Sequence, residues 1–170
     1  MMSSRNALWG YALAILVVLF DQWTKALASA QLTLGVPVEI LPVFNLTLQH
    51  NPGAAFSFLA DEGGWQRWLF TLISVVVSAL LAIWMWRLKR HEKLMSAALA
   101  LILGGAIGNL WDRMLLGYVV DFISVHYETY FFPAFNVADS AITVGAGLMI
   151  LDMIVNPENH KSHTKKSHDR

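Results

Sequence analysis

No cysteine occurs in these 170 residues, so disulfides, thiolate metal sites and a cysteine nucleophile are excluded at once. Charge is scarce as well. Only 14% of residues are Asp, Glu, Lys or Arg, where a soluble domain carries about a quarter. The formal net charge is zero, which argues against a nucleic-acid partner. What fills the chain instead is hydrocarbon: 56% of residues are hydrophobic and the mean hydropathy is +0.49. That balance points to a bilayer as the solvent.

Crossing the apolar core of a bilayer takes about 20 residues of helix. Four stretches suffice, at about 8–27, 68–86, 94–115 and 138–155. They predict an α-helical membrane protein of four spans, a single unit over 1–155. Lysine and arginine favour the cytoplasmic side. Arg5 precedes the first span, Arg87, Lys89, Arg90 and Lys93 crowd the link between the second and third, and Lys161, Lys165, Lys166 and Arg170 follow the fourth. Both termini and the middle link are therefore expected inside, with 28–67 and 116–137 outside. Ala28-Ser29-Ala30 resembles a secretory cleavage site, but Asp21 and Lys25 interrupt the apolar run before it, and the uncleaved reading is preferred.

The first outer segment carries the apolar–polar alternation of short strands at Leu32–Leu34, Val36–Ile40 and Phe44–Leu48, punctuated by Gly35, Pro37 and Pro42. It predicts a small extracytoplasmic β-sheet on the membrane surface, with Trp65 and Trp68 as interfacial anchors. Residues 117–125 also read as extended, with Gly117 ending the third helix. The His- and Lys-rich tail, 156–170, reads as disordered and cytoplasmic. Its His160, His163 and His168 are too loosely spaced to make a persuasive metal site, and no cofactor is called for.

Folding four antiparallel spans brings the polar residues into one layer. Asp21, Lys25, Asn109, Asp112 and Arg113 fall near the outer ends of the first and third spans. Asn136 and Asp139 stand at the mouth of the fourth, and Asp121 lies in the outer connection. Asp152, near the inner end, is expected to snorkel to the headgroups. Ionisable groups at membrane depth are costly and mark function by default, yet several have structural readings. Asp21 and Lys25 are four residues apart and suit a helical ion pair. Asp112 and Arg113 are adjacent, so at least one is expected to turn outward. Gly104 and Gly108 have the spacing of helix packing. Asp139 suits a helix start, whereas Asp121 interrupts an otherwise apolar strand.

Two converging carboxyls cannot both ionise cheaply and share a proton. One can then take a proton from water while the other polarises a carbonyl, which is peptide hydrolysis without a covalent intermediate. Other routes lack their parts: there is no His-Glu-x-x-His, no Gly-x-Ser-Gly and no Gly-x-Gly-Asp. Two alternatives use the same residues. A proton-coupled transporter would relay protons through Asp21, Asp121 and Asp139, and a scaffold would use the charges only to pair helices.

Five ordered motifs resemble one family, the bacterial lipoprotein signal peptidases, also called signal peptidase II. They are Asp21-Gln-Trp-Thr-Lys25, Asn51-Pro-Gly-Ala-Ala-Phe-Ser57, Gly104-Gly-Ala-Ile-Gly-Asn-Leu-Trp-Asp-Arg113, Gly117-Tyr-Val-Val-Asp-Phe122 and Phe135-Asn-Val-Ala-Asp139. The resemblance implies an aspartic endopeptidase of the inner membrane, cutting diacylglyceryl-modified prolipoproteins before the lipidated cysteine. It implies Asp121 and Asp139 as the catalytic pair, and Asn51, Gly53, Ala54, Asn109, Arg113, Asn136, Ala138, Asp21 and Lys25 as substrate-binding or supporting residues. Asn51 and Arg113 are expected to hold substrate backbone, with Asn109 and Asn136 supporting the pair. Membrane lipids and cyclic peptide inhibitors of the globomycin type are implied as further partners. A loop at 56–65 containing Gly63-Gly64 is expected to cover the site.

Overall fold

The computed structural model describes residues 4–53 and 65–157. Ala54, nearly all of the expected covering loop and the three tail histidines lie outside the described residues. The elements run α1 (Ser4–Gln31), β1 (Val38–Leu41), β2 (Phe44–Asn51), α2 (Trp65–Arg87), α3 (Lys93–Leu115), β3 (Val119–Tyr127), β4 (Tyr130–Phe131) and α4 (Val137–Val155). The four helices are each long and apolar enough to cross a membrane.

α3 is the central helix, packed against α1, α2 and α4. Hydrocarbon gains little from leaving lipid for protein, so close packing needs small side chains rather than hydrophobicity. α3 supplies them. A Cβ added at Gly104 would lie 2.7 Å from Val17 Cβ and 2.8 Å from the Ala14 carbonyl, both on α1. At the next residue, a Cβ on Gly105 would collide with the Ala138 carbonyl of α4. Gly104 and Gly105 therefore admit both neighbouring backbones, while at Gly108, the other member of the expected packing pair, a Cβ would lie 2.6 Å from Asp21 Oδ2 on α1 and 3.5 Å from Ala138 Cβ on α4. Below it, Ala14, Met85, Leu88, Met95, Leu99, Ala100 and Leu103 form a buried apolar cluster. The Tyr11 hydroxyl donates to the Ala82 carbonyl at 2.8 Å, tying α1 to α2. Outward-facing residues such as Leu16, Leu72, Leu80 and Ile154 are each about 60–70% exposed, which suits a lipid-facing surface.

The strands form one antiparallel sheet in the order β1-β2-β3-β4 at one end of the bundle. Gly117 has φ +87° just past the α3 C-cap, a conformation that suits glycine, and turns the chain into β3. Pairing sets Gln49 opposite Asp121 and Asn51 opposite Val119. Thus the register of β2 on β3 carries Asn51 to the neighbourhood of Asp121.

α1 continues as helix through Ala28–Ala30 to Gln31, a few residues past the expected end of the first span. Two sequence expectations are corrected. Leu32–Leu34 is no strand, and only Leu34 makes an isolated bridge, to Leu48. Asp152 does not snorkel. It is 1% exposed and accepts the Asn156 side-chain amide at 2.8 Å, because its helical face turns into the bundle.

Candidate active site

Where the sheet meets the helices, the polar residues form two layers. The lower is built on α1 and α3. The Lys25 ammonium has three hydrogens and faces three acceptors: Asp21 Oδ2 at 2.8 Å, Asp112 Oδ2 at 2.9 Å and Asn109 Oδ1 at 2.9 Å. All four residues are buried. Their relation to neighbouring elements explains why they are charged. Asp21 Oδ1 accepts the Ala138 N–H at 2.8 Å, holding the first turn of α4, where the helix leaves N–H groups without internal partners. Asp112 Oδ2 accepts the Val120 N–H at 3.1 Å, holding the first residues of β3. Gln22 donates to Asp112 Oδ1 at 2.8 Å and to the Gly108 carbonyl at 3.2 Å. The Asp21–Lys25 pair is thus part of a triad that fixes the two segments carrying Asp121 and Asp139.

The upper layer holds those two aspartates, and its partners are amides. Asp121 is 2% exposed; its Oδ2 accepts from Asn51 Nδ2 at 3.0 Å and its Oδ1 from Asn136 Nδ2 at 2.7 Å. Asp139 Oδ1 accepts from Asn109 Nδ2 at 2.7 Å, and its Oδ2 from the Asn136 N–H at 3.2 Å. Asn136 caps α4, taking the Asp139 N–H on its side-chain oxygen at 2.9 Å in a reciprocal capping box. One asparagine therefore orients both carboxyls. Asn109 links the layers, since its oxygen accepts from Lys25 while its amide reaches Asp139. Of the two asparagines expected as supports, Asn109 hydrogen-bonds Asp139 and Asn136 hydrogen-bonds both aspartates.

Burial pushes the Asp121 carboxyl up to about 6; the charge of Asp139 adds to the rise, and the amides of Asn51 and Asn136 oppose it. Charge counting agrees. Around the two layers stand four carboxyls, Asp21, Asp112, Asp121 and Asp139, and two cations, Lys25 and Arg113. A proton is most readily retained where desolvation is severe and no cation among the described residues is in salt-bridge contact, which describes Asp121.

Other residues stand around this centre. Arg113 donates to the Asn109 carbonyl at 3.2 Å, lies within electrostatic reach of Asp139, Asp112 and Asp121, and packs 5.9 Å over the Phe70 ring. Neither member of the Asp112–Arg113 pair simply turns outward: Asp112 is buried, and Arg113 is half-buried along the rim. Asn51 accepts the Gly53 N–H at 2.9 Å while donating to Asp121, which fixes its amide. Gly53 has φ +98°, and a Cβ there would lie 2.7 Å from Phe70.

Sequence reasoning missed three contributors. Gln22 sits inside the first motif, and its polarity at membrane depth was a usable signal. Asp112 was noted but not given a supporting role. Arg67 donates to the carbonyls of Arg113 at 2.8 Å and Met114 at 2.7 Å, satisfying the end of α3. Nothing local to Arg67 announces that role, because its partners lie more than forty residues away.

A family model described as signal peptidase (SPase) II matches residues 13–155. The chain belongs to the signal peptidase II family. Its relatives include a lipoprotein signal peptidase of Acinetobacter baylyi, 49% identical over 164 residues, covering 96% of this chain and 91% of the relative. One of Pseudomonas putida is 59% identical over 143 residues, covering 83% and 84%. Two solved structures, each described as a bacterial membrane enzyme obtained by the in meso method, share the fold. They have TM-scores of 0.76 and 0.77 at 33% and 34% identity; the first covers 88% of this chain and 90% of its own, the second 86% and 93%. The protein is a membrane peptidase, and the relatives support removal of signal peptides from prolipoproteins rather than transport.

Proposed function

We propose that the protein is an aspartic endopeptidase that cuts diacylglyceryl-modified prolipoproteins before the lipidated cysteine, with Asp121 and Asp139 as its catalytic pair. The observation that carries this reading is the amide shell: a buried carboxyl, Asp121, and a half-buried one, Asp139, oriented by a shared asparagine and in salt-bridge contact with no cation among the described residues, the buried one raised to about 6. In this reading Asp139, at the N-terminal end of α4 where the dipole favours negative charge, takes a proton from water. The water oxygen bonds to the scissile carbonyl carbon while protonated Asp121 donates a hydrogen bond to its oxygen. The C–N bond then breaks, with the proton passing to the leaving nitrogen. Asn51 and Arg113 edge the site and are placed to steady substrate backbone.

Both termini are assigned to the cytoplasm and the site to the outer leaflet, from the basic residues between α2 and α3. A site between helices at that level receives a lipid-bearing signal helix laterally, without extracting either part from the bilayer. Globomycin-type cyclic peptides are proposed to occupy the same cleft.

Incubating purified protein with a lipid-modified prolipoprotein tests the activity. Wild type should release the signal peptide, and Asp121→Asn or Asp139→Asn should not, at unchanged protein levels. Release by either variant at more than about a hundredth of the wild-type rate, or none by wild type, refutes the assignment. Because the chain has no cysteine, Glu128→Cys and Lys89→Cys allow an impermeant thiol reagent to test orientation. Labelling of the first and protection of the second in intact spheroplasts is expected.

A further inference from the structure

We infer that the end of the bundle opposite the sheet carries a binding cleft for one anionic glycerophospholipid. A cleft of about 340 Å³ opens between the N-terminal parts of α1 and α3, lined by Trp9, Gly10, Leu13, Lys93, Ser96 and Ala97. Its size lies within the range of about 300–1,000 Å³ usual for small-molecule sites. Its walls are mostly hydrocarbon, and one cation, Lys93, stands at the end of α3 where the chain emerges from its span. An apolar slot with a cation at its membrane-interface end is complementary to an acyl chain joined to a phosphate, since only a lipid carries both in that order. Trp9, 76% exposed beside the slot, adds the amphipathic ring preferred at headgroup depth.

Two observations select an anionic headgroup. Arg87, Lys89, Arg90 and Lys93 lie at this same end and are all exposed. Glu92, the acid among them, is buried and accepts the Lys89 N–H, so the surface presented to lipid is positive. A second cleft, of about 440 Å³ between α2 and α3, serves as a contrast. It has Arg87 but is also lined by Glu92, a carboxylate unsuited to a phosphate. Of these two clefts, the Lys93 cleft alone combines a cation with no acidic lining residue. None of these residues belongs to the peptidase site, and the inference does not depend on it.

Native mass spectrometry of the delipidated full-length protein, titrated with phosphatidylglycerol or phosphatidylcholine of identical acyl chains, tests it. A basic side chain at a membrane surface contributes about a fivefold preference for an anionic lipid. Wild type should therefore retain phosphatidylglycerol about fivefold better than phosphatidylcholine. Lys93→Gln should bring the two close to parity, and Ala97→Phe, which fills the slot, should weaken both. Arg87→Gln should leave the preference intact, and soluble glycerol 3-phosphate should not displace the lipid. Equal retention of both lipids by wild type overturns the proposal, as does an unchanged preference in Lys93→Gln. A loss in Arg87→Gln as large as in Lys93→Gln reduces it to general surface charge, and displacement by glycerol phosphate reduces it to a headgroup site. Lys93 is exposed, so its variant folds even where Ala97→Phe does not, and peptide release in detergent should be unaffected by it.

Discussion

Replacing Asp121 by asparagine should make the protein more stable at neutral pH while abolishing cleavage. Asp121 is 2% exposed, and its carboxyl is raised from 3.8 to about 6, chiefly by burial. A group raised by that much destabilises the folded state by about 3 kcal/mol once it is ionised. Asparagine keeps the shape and removes the charge. It has one oxygen, however, and two amides, those of Asn51 and Asn136, now donate to the carboxylate. One of them must face an NH2 group, which costs about 1 kcal/mol. The net gain is about 2 kcal/mol, or about 5 °C in Tm for a chain of this length. The pH dependence fixes the cause. A raised carboxyl leaves stability intact below its unfolded value of 3.8 and removes it as pH climbs through about 6. The advantage of Asp121→Asn should thus be full at pH 7.5 and gone at pH 4, where only the lost hydrogen bond remains. Thermal unfolding in detergent, followed by the emission of the seven tryptophans, measures both. No gain at pH 7.5, or an equal gain at pH 4, refutes the account of Asp121 as a strained, buried charge.

Asn51→Ala removes a donor that favours ionised Asp121, so the limb of the kcat/KM profile belonging to Asp121 should move to higher pH, by about one unit; a limb shifted downward contradicts the hydrogen-bond assignment. Asp139→Asn should lower kcat by at least about 10²–10⁴, the usual range for an acid–base group, in a prolipoprotein assay. Lys25→Met leaves Asp21 and Asp112 buried without their shared cation and should cost about 3–5 kcal/mol, seen as loss of folded protein on size-exclusion chromatography. Gly108→Ala places a Cβ 2.6 Å from Asp21 Oδ2 and should lower Tm, whereas at Gly147 a Cβ meets nothing within 4 Å and the same change should be neutral or stabilising by about 0.5–1 kcal/mol.

The spans were legible because a bilayer demands long apolar helices, and the layer of polar residues followed from alternating their directions. Asp121 stood out as a charge in an apolar strand, and Gly117 as a helix end. What stayed hidden depends on which face a helix turns to its neighbours. Asp152 is near a terminus in sequence, where snorkelling is the default, yet its face is internal. Asp112 and Arg113 are neighbours in sequence, but about 100° of helical rotation separates them. One therefore enters the Lys25 triad and the other lies over Phe70. Arg67 was illegible because its value lies in distant carbonyls. Leu32–Leu34 has the alternation of a strand without a partner to pair along its length, which periodicity does not report.

Why amides hold one pair of aspartates and a lysine the other follows from what each pair must do. A carboxyl in contact with an ammonium is held firmly in place, because separating the pair leaves a buried charge unmatched. Asp21 and Asp112 use that firmness structurally, since each anchors a backbone N–H of a segment bearing one of the two proposed catalytic aspartates. A carboxyl that must exchange protons cannot be held so firmly. Neutral amides orient it while imposing a smaller electrostatic bias than a full charge does. Asn51, Asn109 and Asn136 supply this to Asp121 and Asp139, and the reciprocal cap at Asn136 fixes the spacing by helix geometry rather than by charge. In the proposed mechanism, an ammonium in contact with Asp121 would oppose the protonated form that donates to the scissile carbonyl. The choice between lysine and asparagine at these positions is therefore what separates the scaffold of the site from its chemistry.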